Sequence, residues 1–76
     1  MRDLLEYILK GILGDKKFSV DEKDENGMIN FTVSTEDPND IAIIIGKGGR
    51  VINSIRSILK IKASIEKKFV NLNVAA

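Results

Sequence analysis

Cysteine and histidine, two side chains that carry much of enzyme chemistry, are missing from this 76-residue sequence. Their absence excludes thiolate nucleophiles, imidazole acid–base catalysis and zinc sites built from the usual ligands. Tryptophan is also absent, and aromatic residues make up only 5% of the chain, which disfavours surfaces that bind nucleic acids with rows of stacked aromatics. The composition argues against most classes of enzyme, and no cofactor or metal is expected.

Long hydrophobic runs are missing too, since none approaches the roughly 20 residues of a membrane span. The first residues carry Asp3 and Glu6 within their apolar pattern and lack a small-residue cleavage site, so no signal peptide is predicted. A cytoplasmic location is therefore expected. With 43% hydrophobic and 30% charged residues, the chain is typical of a globular protein. Its length predicts a single domain, residues 1–76, with a thin core.

The net charge of +1 hides a strongly uneven distribution of charge along the chain. Residues 1–45 hold ten carboxylates and five basic side chains, a net charge of −5, whereas residues 46–68 hold seven basic side chains and one carboxylate, a net charge of +6. This asymmetry predicts that one face of the folded domain attracts a polyanion. A basic helix that is merely solvated would produce the same pattern.

Hydrophobic periodicity predicts the order helix, strand, strand, short helix, glycine loop, long helix, strand. This is an α+β architecture, a three-stranded sheet covered on one face by three helices. Gly14 is expected to end the first helix, and Asn26-Gly27 is typical of a tight hairpin turn between the first two strands. The aromatic residues fall within the apolar patterns and are predicted to be core: Tyr7, Phe18, Phe31 and Phe69.

The segment from Ile41 to Ile45 allows two interpretations. Its β-branched residues favour a buried parallel strand, and a strand that runs into a glycine loop is typical of phosphate-binding enzymes. Asp37 and Pro38, however, are typical of the cap and the first residue of a helix. We give this start signal more weight and predict a short helix that ends before Gly46.

The loop Gly46-Lys47-Gly48-Gly49 has the spacing of neither common phosphate-binding motif. A dinucleotide fingerprint requires glycine at the sixth position, where this chain has Val51, and a Walker A loop requires serine or threonine after the lysine, where it has Gly48. What remains is a G-x-x-G loop between two helices. Glycines that merely permit a sharp turn are the simpler alternative.

With its flanking residues, this loop resembles the hallmark of the KH (K-homology) domain, an apolar pair, G-x-x-G, two variable residues and an apolar residue. Here these are Ile44-Ile45, Gly46–Gly49, Arg50-Val51 and Ile52. The element order is similar to that of the prokaryotic type II KH fold, α-β-β-α-α-β, and the resemblance covers the whole chain. The sequence most closely resembles the small stand-alone bacterial RNA-binding proteins of the KhpA type.

The resemblance implies a non-enzymatic protein that clamps about four nucleotides of single-stranded RNA, with low sequence specificity and a role as an RNA chaperone or regulator. The RNA-binding residues expected from it are Ile45, Gly46, Lys47, Gly48, Gly49, Arg50, Ile52, Asn53 and Arg56. It also implies assembly as a homodimer, or as a heteromer with a larger RNA-binding protein of the KhpB/Jag type. No membrane and no small-molecule substrate is expected.

Ile43 and Asn53 depart from the family pattern, because members often carry basic residues at these two positions. Both departures weaken electrostatic binding, and an exposed Ile43 would suit a protein partner. The alternative function is therefore a KH-fold module for dimerisation or protein interaction with little RNA affinity of its own. The sequence leaves open whether the isoleucines near the loop line a groove or pack in the core: Ile41, Ile44, Ile45, Ile52 and Ile55.

Overall fold

The computed structural model describes residues 1–75, and Ala76, the last residue of the predicted domain, lies outside the described residues. The helices are α1 (Arg2–Leu13), α2 (Pro38–Ile45) and α3 (Arg50–Ile65), and the strands are β1 (Phe18–Glu25), β2 (Met28–Thr35) and β3 (Phe69–Ala75). A single 3-10 turn, Lys47–Gly49, joins α2 to α3. This order confirms the predicted α+β fold. Within the described part of the chain, no helix is both long and apolar enough to cross a membrane.

The turn between β1 and β2 is the tight hairpin that the sequence predicts. Asn26 and Gly27 have φ angles of 54° and 83°, and positive φ at both central residues is the requirement of a type I′ turn. The two strands pair antiparallel along their whole length, from Phe18 opposite Thr35 to Glu25 opposite Met28.

The helix start at residues 37–38 prevails over the strand preference of the isoleucines that follow. The Asp37 side chain accepts a hydrogen bond from the Asn39 backbone N–H at 2.9 Å, and Pro38 occupies the first turn. Asp37 thus satisfies one of the N–H groups that a helix start leaves unpaired. α2 is therefore a helix, and the strand-loop-helix arrangement of phosphate-binding enzymes does not occur here.

β3 pairs parallel with β2, which makes β2 the central strand of the sheet. Parallel neighbours cannot be joined by a hairpin and need a long crossover, which α2, the glycine loop and α3 supply. The crossover returns the chain so that α3 packs beside β3, and this places the basic segment along one edge of the sheet.

The core lies between the helices and one face of the sheet. Phe31 stands opposite Leu72 in the parallel ladder, and both are buried. On the other face, the Asn71 side-chain amide donates to the Asn30 side-chain oxygen at 3.1 Å. The buried core residues are Leu5, Leu9, Leu13, Val20, Ile29, Phe31, Val33, Ile44, Ile52, Ile55, Leu59 and Leu72.

Two of the four aromatic residues are not in the core, and the prediction for them was wrong. Tyr7 is 78% exposed and Phe69 is 73% exposed, whereas Phe31 is buried and Phe18 is half-buried. Tyr7 lies two residues from the buried Leu5 and Leu9, which turns it to the opposite side of a helix with 3.6 residues per turn. Phe69 starts the β3 alternation on the face opposite to Leu72.

An ion pair ties the loop after α1 to the first turn of α2. The Lys16 ammonium donates to the Asp40 carboxylate at 2.9 Å, and Asp40 is only 3% exposed. This hydrogen bond and the charge of Asp40, together with that of Asp37, raise the pKa of Lys16 above its ordinary 10.5. Asp40 is therefore more than the first-turn charge expected from the sequence, since it joins two distant segments.

The raised pKa of Lys16 predicts a pH-dependent contribution to stability. The pair contributes fully at pH values below the ordinary lysine pKa, and its contribution is lost as the pH rises through the higher pKa of the folded state. We expect Lys16→Met to lower the free energy of unfolding at pH 8, with the difference from wild type shrinking above pH 10.5. Urea titrations at several pH values measure this, and Lys17→Met is the control because Lys17 forms no ion pair within residues 1–75. An unchanged difference at high pH would contradict the assignment.

Candidate nucleic-acid interface

Gly46 lets the chain turn sharply out of α2. Its φ and ψ angles of 75° and 173° fall in a region that is essentially restricted to glycine. A Cβ atom at this position would lie 2.4 Å from Val51 Cγ2 and 3.0 Å from the Val51 backbone nitrogen. The close approach of Gly46 to the first turn of α3 therefore depends on the missing side chain.

Gly48 and Gly49 have a different role, because they leave the outer surface of the loop open. Both adopt left-handed conformations, with φ angles of 65° and 79°. A Cβ atom on Gly48 would meet nothing within 4 Å, and one on Gly49 would make an ordinary contact at 3.6 Å with the Asn53 side chain. Since no side chain covers the backbone here, a ligand can approach its N–H groups closely.

The N-terminus of α3 has no side-chain cap. Its cap residue is Gly49, which has no side chain with which to accept a hydrogen bond, whereas Asp37 caps α2. A helix start leaves its first N–H groups without α-helical partners and carries partial positive charge. Two N–H groups here are already engaged within the 3-10 turn, since that of Gly49 donates to the Gly46 carbonyl at 3.2 Å and that of Arg50 donates to the Lys47 carbonyl. The start of α3 is therefore able to accept an anion such as a phosphate group.

Two full positive charges flank this helix start. Lys47 and Arg50 are both exposed, and neither forms an ion pair within residues 1–75. The same part of the chain contains no group of three or more residues placed to hold a metal ion. One surface therefore combines two basic side chains, an open glycine backbone and a helix start, all of which are able to bind an anion.

The isoleucines around the loop divide between the core and the surface. Ile44, Ile52 and Ile55 are at most 5% exposed and belong to the core cluster, so little of Ile52 is accessible, and its contact with RNA stays a prediction. Ile45 is half-buried and keeps an accessible edge. Ile43 is 41% exposed, which puts an apolar side chain on the surface near the loop.

Arg56 and Asn53 lie together on the side of α3 that faces β3. The Arg56 guanidinium donates through Nε and Nη2 to the Leu72 carbonyl oxygen at 3.3 and 3.0 Å, and through Nη1 to Asn53 Oδ1 at 3.5 Å. Arg56 lines a cleft of about 270 Å³ between α3 and β3, together with Lys60. Arg56 thus lies beside β3, with its donors already engaged by the strand and by Asn53.

Sequence reasoning missed Phe69 as a surface residue, although the signal was present. In the alternation of β3, the apolar positions are Val70, Leu72 and Val74, so Phe69 is out of phase with them and shares a face with Asn71. Its exposed ring lies at the end of α3 that is far from the glycine loop. The surface able to contact a ligand is therefore longer than the loop alone.

Comparison with known protein families gives a match over nearly the whole chain. The model of the family described as KhpA/KhpB, KH domain, matches residues 2–74. No curated protein and no solved structure gives a significant match.

The different surroundings of Gly46 and Gly48 predict different outcomes for alanine at these positions. Gly48→Ala has only the cost of a left-handed residue, about 1–2 kcal/mol, because its Cβ meets open space. Gly46→Ala adds a clash with Val51, so we expect a clearly larger loss of unfolding free energy. Urea denaturation followed by circular dichroism measures both variants. Equal losses would show that the Gly46–Val51 approach does not limit substitution.

Proposed function

Because this chain belongs to the KhpA/KhpB family of KH domains, a class of RNA-binding modules, we propose that it clamps single-stranded RNA with the loop Gly46–Gly49 and the first turn of α3. The observation that carries the proposal is the uncapped start of α3 beside an open glycine backbone, flanked by Lys47 and Arg50. The element order α-β-β-α-α-β is that of the type II KH fold.

The contacts proposed at the loop are contacts with the sugar-phosphate backbone. Phosphate oxygens accept hydrogen bonds from N–H groups of the loop and the first turn of α3 other than those of Gly49 and Arg50, which bond within the 3-10 turn, while Lys47 and Arg50 supply charge. Ile45, at the half-buried edge of α2, offers apolar surface to a base, and the exposed Asn53 is a polar group able to hydrogen-bond one. Gly46 acts indirectly, since its close approach to Val51 positions the α3 start, and the buried Ile52 offers little surface for a direct contact.

This set of contacts favours weak binding with low sequence specificity. Contacts with phosphate position a nucleic acid but carry no sequence information, and few polar side chains here face the bases. Arg56 would have to leave the Leu72 carbonyl before it could bind RNA. Modest, salt-sensitive affinity suits a non-enzymatic RNA chaperone or regulator that meets many RNAs, and the cytoplasmic location expected from the sequence stays a prediction.

A second candidate function, protein interaction, is favoured by an apolar stripe on α3. Ile58, Ile61 and Ile65 are 43%, 65% and 72% exposed, and their spacing puts them on one side of the helix. Contiguous exposed apolar patches mark sites of protein interaction. This stripe supports assembly as a homodimer, or as a heteromer with a larger protein of the KhpB/Jag type, beside the RNA-binding role.

Replacement of the two central loop residues tests the RNA-binding proposal. Lys47→Asp with Gly48→Asp puts two carboxylates where phosphates are proposed to bind, and open space around Gly48 allows the variant to fold. We expect fluorescence anisotropy with labelled single-stranded RNA pools to show at least tenfold weaker binding. For wild type, each phosphate contact adds about −0.7 to the slope of log affinity against log salt.

The matched control is Lys10→Asp with Gly11→Asp, the same two exchanges on exposed positions of α1. It changes the net charge equally, so binding that survives in the control but not in the loop variant assigns the effect to the loop. Equal losses in both variants, or no binding by wild type at about 100 μM protein, would contradict the proposal.

The apolar stripe predicts self-association that does not depend on the loop. We expect Ile61→Asp with Ile65→Asp to shift the protein towards the monomer in sedimentation equilibrium, because two charges on the stripe oppose burial of its surface. Circular dichroism should remain unchanged, since both side chains are exposed. A wild type that is monomeric at all concentrations would rule out the homodimer. The stripe would then be an interface for a different protein.

A further inference from the structure

A second cleft, of about 560 Å³, lies at the end of α3 that is far from the glycine loop. Phe69 and Met28 line it from the strands, and Lys60, Ser64, Lys67 and Lys68 line it from α3 and the turn after it. It adjoins the smaller cleft beside Arg56, because Lys60 and residues 70–71 line both. The two clefts therefore form one continuous path along α3 and β3.

Exposed apolar surface forms one part of this distal cleft. Phe69 is 73% exposed and stands opposite Met28 in the parallel ladder of β2 and β3. An aromatic ring that is left largely in water offers a face on which another planar group can stack.

Positive charge forms the other part. Within residues 1–75, Lys60 and Lys67 form no ion pair, while Lys68 shares its charge with Asp24 at 3.2 Å. None of the described residues that line the cleft is a carboxylate. The cleft is therefore complementary to an anion, although the rest of the chain is acidic.

Lys67 occupies a position where glycine is the usual residue. It lies just after the end of α3 and has a φ angle of 58°. Two hydrogen bonds close this helix end: the Lys68 N–H donates to the Ala63 carbonyl at 2.8 Å, and the Lys67 N–H donates to the Ser64 carbonyl at 3.1 Å. This pattern places its left-handed residue at the position that glycine most often fills. A lysine side chain there costs stability and projects charge into the cleft.

A stacking ring together with lysines at the rim is the combination with which proteins hold single strands of nucleic acid. We propose that the distal cleft is a second contact site for single-stranded RNA, in which Phe69 stacks on a base and Lys60 and Lys67 bind phosphates. This inference rests on the proposed function, because the cleft would hold a continuation of the strand clamped at the loop. α3 has 16 residues and spans about 24 Å, so the cleft receives nucleotides beyond those at the loop.

RNA length separates the two sites experimentally. Binding of labelled single-stranded RNA pools of four and ten nucleotides is measured by anisotropy for wild type, Phe69→Ala and Lys67→Gly. Phe69→Ala should bind the ten-nucleotide pool at least about fivefold more weakly, the lower end of the effect of losing one stacked base. Lys67→Gly should also bind this pool more weakly and with a shallower salt dependence, because one phosphate contact is lost. Binding of the four-nucleotide pool should change less than twofold, since the loop is intact.

Matched controls exist for both substitutions. Tyr7→Ala removes the other highly exposed aromatic, on α1, and Lys62→Ala removes an exposed lysine of α3 that lines neither cleft. Both controls should bind as wild type does. Lys67→Gly has a further signature, because it relieves the left-handed residue: its melting temperature should equal or exceed that of wild type while its affinity for the longer RNA falls.

Each contrary result is distinguishable. If the variants bind the ten-nucleotide pool as tightly as wild type does, the distal site is wrong and the loop proposal stands. If Lys62→Ala weakens binding as much as Lys67→Gly does, the overall positive charge of α3 explains the effect, and the distal cleft is not a distinct binding site. If Phe69→Ala abolishes self-association and leaves RNA binding unchanged, the cleft is a protein interface. If wild type binds neither pool, the proposed function itself fails, and this inference fails with it.

Discussion

The contact between the backbone of Gly46 and the side chain of Val51 is the constraint on which the rest of the site depends. It brings the end of α2 against the first turn of α3, with only a 3-10 turn, Lys47–Gly49, between the two helices. The crossover formed by α2, this turn and α3 returns the chain as β3 parallel to β2. The same contact fixes the start of α3, so the geometry of the fold and that of the anion-binding surface have one origin.

Charge segregation along the sequence becomes spatial segregation through the crossover. The basic residues fall in the loop, in α3 and in the turn after it, and α3 packs beside the edge strand β3. The acidic half supplies α1, β1 and the start of α2, where Asp40 is buried against Lys16. The positive charge is therefore concentrated on the α3–β3 side of the molecule, whereas α1 and β1 carry most of the negative charge.

The order of the elements was predictable because local signals agreed with the tertiary structure. Asp37 and Pro38 mark the start of α2 strongly enough to outweigh the strand preference of the isoleucines, and Asn26-Gly27 marks the hairpin. The glycine loop was predictable from its spacing together with the flanking isoleucines and the order of the elements. The separate roles of Gly46 and Gly48 were not predictable, since they depend on Val51 approaching one glycine and open space surrounding the other.

Other features could not be predicted from the sequence. They depend on contacts between distant segments, or on where a residue falls in the alternation of buried and exposed positions along its helix or strand. Lys16 and Asp40 are 24 residues apart, and nothing local to either indicates the partner. Ile52 continues the apolar stripe of α3 and is buried in the core. Phe69 and Tyr7 were placed in the core because they are apolar, although their phase relative to Leu72 and to Leu5 puts them on the surface.

The hydrogen bonds from Arg56 to the Leu72 carbonyl have a consequence for assembly. β3 is an edge strand, and the unpaired backbone groups of an edge strand are a template for the strand of another chain. The Arg56 guanidinium occupies one of these backbone groups, the Leu72 carbonyl, near the middle of β3. The opposite edge strand, β1, is protected by the charged run Asp21–Glu25. The sheet thus resists extension at both edges, which favours association through helix side chains over the growth of a continuous sheet from one molecule to the next.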